Sequence, residues 1–230
     1  MELHFLGSGS AFCPQYKNTS AYFELNNDLY LIDCGESVFE ALLPLVDFEQ
    51  YREIYIVITH LHADHVGSLA SLVSYNYCMV NKKQVTVIYP KHTIVELLSL
   101  MGIRREYYRY QEAYDGGSVK FDAIPVEHVD NMECFGYIIE VHGEKVFYSG
   151  DSSQLPPSLL EDFLKGEIKT IYHDTSTHDS DHPTHCHYSK LEACIPREMR
   201  KRVFCMHLDS DCKELLEGKG FSVVSVDGDS

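Results

Sequence analysis

The 230-residue chain contains no apolar run approaching the roughly 18 residues that a membrane-crossing helix needs. Its opening MELHFLGSGSAF has neither a basic segment nor the long apolar core of a signal peptide. A cytoplasmic protein with no membrane partner is therefore expected. CxxC pairs are also missing, and the eight cysteines are scattered, several within apolar runs such as RVFCMHL, so reduced and mostly buried thiols are expected. Basic charge is short: 19 Lys and Arg stand against 35 Asp and Glu, a formal net charge of −16. Proteins that grip long nucleic acid draw on Lys and Arg to neutralise phosphates, so a long nucleic acid is a poor partner for this chain. A small anionic substrate is compatible with the charge, because a metal ion or a few local cations can reverse the field inside one cleft. Linkers, low-complexity tracts and repeats of solenoid or propeller period are absent too, and one domain over residues 1–230 is expected.

What is present is an ordinary globular composition, 44% hydrophobic and 23% charged. LHFLGS, SAYFELNN and DLYLIDCG read as strands, the last two joined through an NND turn. SVFEALLPL has helical spacing, and REIYIVITH is a β-branched run suited to a buried strand. HVGSLASLVSYNYCMV, QVTVIYP and TIVELLSLMGI continue as helix, strand and helix, the last with threonine available as its cap. After a DGG turn, VKFDAIPVEH, CFGYIIEVHG and EKVFYSGD give a second run of strands, followed by alternating helices and strands. Two strand-and-helix halves predict two sheets packed face to face with helices outside.

THLHADHVGS places His60, His62, Asp64 and His65 within six positions directly after a predicted strand. Nitrogen and carboxylate donors at that density suit zinc, with manganese or iron as other occupants. A polar loop capped by Asp64 is the ordinary alternative. Further candidate ligands recur where other apolar runs end: His128 in IPVEHVDN, Asp151 in VFYSGDSS and His207 in VFCMHLDS. Seven ligands from four segments make a centre for two divalent ions.

IDCGE, HLHADH, His128, the YSGD aspartate and the MHLDS histidine resemble, in order, the five motifs of the metallo-β-lactamase superfamily. That resemblance implies an αββα four-layer sandwich. It assigns His60, His62 and His128 to one ion, Asp64, His65 and His207 to the other, and Asp151 to both, with Asp64 also among the catalytic residues. Asp33 resembles the family's buried aspartate that orients the histidine motif. A water held between two such ions becomes a hydroxide near neutral pH, and the ions offset charge on a phosphodiester during in-line attack.

FLGSGSA, NTSAYFEL, IDCGES, HDTS and HYS are similar to segments of the ribonuclease Z branch. In that branch an acidic residue and a histidine form a proton-transfer pair, which carries over to Asp174 and His187. The branch's tRNA-gripping arm has no room in GYIIEVHGEKVFYSGD. Small arm-less relatives include anti-Pycsar phosphodiesterases, which cleave cyclic mononucleotides. The resemblance implies a metal-dependent phosphodiesterase acting on a small phosphodiester, foremost a cyclic nucleotide. A tRNA 3′-processing endonuclease and a silent metal-binding or nucleotide-sensing module are the alternatives.

Three features stay open. GSGS at 7–10 offers backbone amides to a phosphate or is simply a turn. RREYYRYQEAY at 104–114 suits a subunit interface of a homodimer, a helix face or a base-stacking surface. In HDTSTHDSDHPTHCHYS, His178, His182 and His185 read as solvated loop residues, with substrate contact and a third metal as the sharper alternatives.

Overall fold

A two-residue turn of Asn26 and Asn27, both left-handed at φ 53° and 66°, joins the first tight hairpin. That geometry matches the twist of paired strands, and asparagine tolerates it better than most residues. The computed structural model describes residues 1–181 and 183–226. Its contacts divide the chain into two compact units, each built around one sheet.

One unit comprises Glu2–Gly7, Lys17–Tyr114 and Val226. Its strands are β1 (His4–Gly7), β2 (Ser20–Leu25), β3 (Asp28–Ile32), β4 (Glu53–Val57), β5 (Val85–Ile88) and β6 (Tyr108–Gln111), paired in that order. The β1–β2 and β2–β3 pairs are antiparallel and the remainder parallel. Four helices accompany them: α1 (Val38–Leu42), α2 (Ala63–Val66), α3 (Leu69–Met79) and α4 (Thr93–Leu100). Parallel strands are buried on both faces, and every residue of β3 and β5 is accordingly buried. Phe23, Tyr30 and Tyr55 lie opposite one another on β2, β3 and β4, and their rings stack at 4.8 and 4.9 Å. Cross-strand aromatic stacking of this kind fixes register as well as burying area.

The other unit holds Met1, Ser8–Tyr16 and Asp115–Ser225. Beginning at the unit boundary, its strands are β7 (Tyr114–Asp115), β8 (Val119–Val126), β9 (Cys134–Val141), β10 (Glu144–Tyr148), β11 (Ile168–Asp174), β12 (Val203–Met206) and β13 (Ser222–Val223), neighbours in sequence order. The strands from β10 to β13 run parallel, whereas β8–β9 and β9–β10 are antiparallel. Helices α5 (Pro157–Lys165), α6 (Tyr188–Cys194) and α7 (Lys213–Gly218) complete it. Pro157 opens α5 where an amide is unneeded, and left-handed Gly166 closes it.

The core of this unit gathers Phe147, Phe163, Ile171, Leu191, Val203 and Leu216 from both sheet and helices. Phe163 is fully buried there. Phe163→Ala is expected to cost about 3–5 kcal/mol, the range for truncating a large core aromatic. The check is a lower urea midpoint at unchanged m-value and equal metal loading.

Some local expectations give way. RREYYRYQEAY is not a helix face: it forms a short 3-10 turn at Arg105–Tyr107 and then β6, the edge strand. Tyr108 is buried, Tyr107 stacks on Tyr77 at 4.2 Å, and Arg109 pairs with Glu53. Thr93 is not the cap of α4, since His92 occupies that position without a side-chain bond. All eight cysteines are free and six are buried, in line with reduced structural thiols. Among the described residues no helix is long and apolar enough to cross a membrane.

Candidate metal centre

In the six-stranded unit, chemistry collects at the carboxyl ends of two adjacent parallel strands, the usual ligand edge of such sheets. Asp33 follows β3 and Thr59 and His60 follow β4. Asp33 is fully buried with a left-handed φ of 61°, a conformation uncommon outside glycine and frequent at functional sites. Its carboxylate accepts the Thr59 amide at 2.8 Å, the Thr59 hydroxyl at 2.9 Å and His65 Nδ1 at 2.9 Å. With Nδ1–H donated to Asp33, the lone pair of His65 is left on Nε2, the tautomer a cation requires. Burial pushes the Asp33 carboxyl up, while the His65 charge and hydrogen bond and the Thr59 bonds oppose that rise.

Helix α2 is clamped to the same edge. Cys34 donates its amide to His65 O at 2.7 Å, and Ser68 returns a bond to Cys34 O at 3.1 Å. A Cβ on Gly35 would fall 1.9 Å from Asp64 O, so only glycine fits beneath the helix. His62 occupies the cap position of α2 without capping it, and its Nδ1 meets His60 Nε2 at 3.0 Å. Asp64 lies in the first turn, 3.4 Å from His65 Nε2, rather than at the cap. These four donors therefore converge in pairs, with His60, Asp64 and His65 buried and His62 half-buried.

In the seven-stranded unit the donors again follow strand ends. Strand β8 runs in the same direction as β10, because β9 is antiparallel to both, so its end shares their edge. His128 follows β8, Asp151 follows β10, Asp174 ends β11 and His207 follows β12. His128 Nδ1–H donates to Thr184 O at 2.7 Å, which leaves Nε2 facing Asp151 at 3.5 Å. His207 Nε2 lies 3.3 Å from Asp151, and His207 has a left-handed φ of 57°. Burial draws the His128 imidazole below its ordinary pKa, favouring the neutral ligand form.

The expected partnership of Asp174 with His187 is not what this unit builds. His185 Nδ1 meets Asp174 Oδ2 at 2.8 Å. His187 instead caps α6 and bonds Ser189 Oγ at 2.7 Å through its Nδ1. The reason is local: the chain turns into α6 at His187, whose side chain satisfies a helix-start amide. His185 sits between His128 and His207, with both ring centroids at 5.0 Å, and within 4.0 Å of Asp151. Burial pushes the Asp174 carboxyl up, but the charge and hydrogen bond of His185, helped by His207, hold it below the usual carboxylate range. Burial correspondingly lowers His185, and Asp174 outweighs it to leave the imidazole above its usual value.

Of the remaining histidines, His178 is exposed, and His182 lies outside the described residues. His173 is fully buried in β11, donating Nδ1–H to Asp174 O at 2.7 Å. The GSGS amides of Ser8 and Ser10 bond Tyr16 O and Leu208 O at 2.9 and 3.0 Å. They are thus committed to backbone pairing rather than to a phosphate. The role of His185 had little sequence signal beyond its place two residues before another histidine.

A divalent cation is the group these donors fit. Asp151, Asp174, His185 and His207 place one ligand atom each within 4.8 Å of one another. Nitrogen and carboxylate donors in buried settings are the set that zinc and its neighbours accept. Charge argues the same way, because buried carboxylates at this density are costly without a cation beside them.

The anti-Pycsar protein Apyc1 family matches residues 1–226. A protein of Bacillus phage BSP38 described as anti-Pycsar protein Apyc1 is 28% identical over 253 aligned positions, covering 95% of this chain and 93% of its own length. The short form of human tRNase Z superposes with a TM-score of 0.73 at 19% identity, covering 99% of this chain and 97% of that one. The metallo-β-lactamase fold protein YhfI from Bacillus subtilis also gives 0.73, at 14% identity, covering 95% and 90% of the two chains. Likeness across nearly the whole chain shows the αββα metallo-β-lactamase fold. The β9–β10 hairpin turns through His142 and Gly143 alone, leaving no arm at that point.

Proposed function

Because the chain belongs to the anti-Pycsar protein Apyc1 family, we propose that it is a metal-dependent phosphodiesterase that opens a cyclic nucleotide. The observation that carries this reading is the set of buried and half-buried histidine and aspartate donors at the strand ends, with Asp33 fixing the His65 tautomer. By the family's pattern, His60, His62 and His128 hold one ion, Asp64, His65 and His207 the other, and Asp151 serves both. Two divalent cations in such a site offset charge on the phosphate oxygens and make a water more acidic.

The remaining work falls to side chains. Thr59 and Asp33 hold the histidine motif in place, so the ligands need no rearrangement as charge develops. Asp174 orients His185 and favours its doubly protonated form, so that the imidazolium can pass its Nε2 proton to the departing ribose oxygen while Nδ1–H stays on Asp174. The net charge of −16 and the short β9–β10 turn both favour a small substrate over a tRNA.

Purified, metal-loaded protein is expected to convert 3′,5′-cyclic mononucleotides and bis(p-nitrophenyl) phosphate, and to leave precursor tRNA intact. Chromatography of the products decides it. Processing of precursor tRNA with no turnover of either small diester would overturn the reading. Retention of cyclic nucleotide without conversion would favour a sensing module.

A further inference from the structure

Within the seven-stranded unit a cavity of about 450 Å³ opens onto His185 and His207, with Ala11, Phe12, Cys13 and Pro183 along its wall. Its volume falls within the range of small-ligand pockets. Phe12 is 95% exposed, more than any other large hydrophobic among the described residues. Such a ring in water, at the edge of a cavity that reaches His185 and the proposed metal ligand His207, is placed to be covered by something planar and apolar.

Backbone bonding holds that ring in position. Cys13 donates its amide to Ser10 O at 3.0 Å, closing a turn with Ala11 and Phe12 at its tip. Ser10 donates to Leu208 O at 3.0 Å and Leu208 donates to Ser8 O at 2.8 Å, so the turn is stapled immediately after His207. The facing wall is equally fixed. The Asp209 carboxylate accepts the Thr177 amide and hydroxyl, each at 2.9 Å, and the His178 amide at 3.1 Å. Cys13 Sγ donates to Asp209 O at 3.0 Å, tying one wall to the other. No residue described as lining the cavity is Lys or Arg. It is therefore built for a neutral group rather than for a second phosphate, and Ser180 and Thr184 offer hydroxyls to polar edges.

We propose that this cavity is the nucleobase subsite, in which Phe12 stacks on the base of a nucleotide whose phosphate lies at the histidine and aspartate donors. This rests on the phosphodiesterase reading above. A π-face accepts any base, so Phe12 contributes affinity for nucleotides as a class, while hydroxyls on the wall discriminate among bases.

The test uses the metal-loaded full chain and two ligands that differ only in the base: a nucleoside 5′-monophosphate and ribose 5-phosphate, titrated by calorimetry. Phe12→Ala is expected to weaken nucleoside monophosphate binding about tenfold and to leave ribose 5-phosphate binding unchanged. Phe12→Tyr is expected to restore the nucleotide affinity. Being exposed, Phe12 can be truncated without loss of the fold, which an unchanged thermal transition checks. Equal weakening of both ligands, or of neither, overturns the subsite. So does conversion of a dimer to a monomer in sedimentation with nucleotide affinity intact, which would assign Phe12 to a subunit interface. Turnover of cyclic nucleotides by the unaltered protein is measured separately. Its failure would remove the proposed reaction while the base-dependent affinity still decides the subsite.

Discussion

Asp151→Ala is expected to abolish turnover of phosphodiesters, by about three orders of magnitude or more, and to release at least one metal ion per chain. Asp151 is buried, and its two oxygens face different histidines: Oδ2 faces His128 at 3.5 Å and Oδ1 faces His207 at 3.3 Å. A carboxylate so placed can serve two ions at once. Charge stabilisation by metal ions supplies several kcal/mol, and each 1.4 kcal/mol or so is a factor of ten in rate. Asp151→Asn keeps the shape and removes the charge, so it separates a lost ligand from a cavity. Elemental analysis beside the activity assay reads both effects. Full metal content with full activity in either variant would show that Asp151 does not serve the site.

His185→Ala is expected to lower kcat by about 10²- to 10⁴-fold, the usual worth of a positioned general acid, while the metal content stays intact. His187→Ala, in contrast, is expected to leave kcat within about twofold and to cost about 1 kcal/mol of stability through the lost cap. The contrast follows from geometry. His185 shares a 2.8 Å bond with buried Asp174, whereas His187 is tied to Ser189 at the start of α6. Since Asp174 and His185 also lie with Asp151 and His207 in one cluster of possible donors, a ligand role for His185 is the competing outcome. Loss of an ion in His185→Ala would establish that role, and a kcat lost in His187→Ala alone would return the proton donor to the sequence-based assignment.

Most strands could be read in the sequence because each is an apolar run bounded by turn residues. NND did become a left-handed hairpin turn, and IDCGE became the strand end that clamps α2. The runs that escaped were the least periodic. The tyrosine-rich segment before residue 114 hid β6 because interleaved arginines and tyrosines fit a helix face and an edge strand equally well. Helix α7 is short and begins after polar DSDC, so nothing in its pattern marked it.

The candidate ligands were legible for a different reason. Histidines and aspartates placed just after apolar strands are held at one sheet edge by topology, whatever the details of packing. Composition likewise favours a small substrate, since a chain of net charge −16 is short of cations for a long polyanion. Two things were decided only by tertiary structure. One is which histidine of THCHYS meets Asp174, because His185 and His187 differ by two positions and only the entry into α6 separates them. The other is the exposure of Phe12, an aromatic in a turn that sequence reasoning leaves unremarked until Leu208 staples that turn beside His207. The physical reason is the same for both. Periodicity reports which face a residue takes within its own element, whereas side chains on loops are aimed by hydrogen bonds to segments far away in sequence.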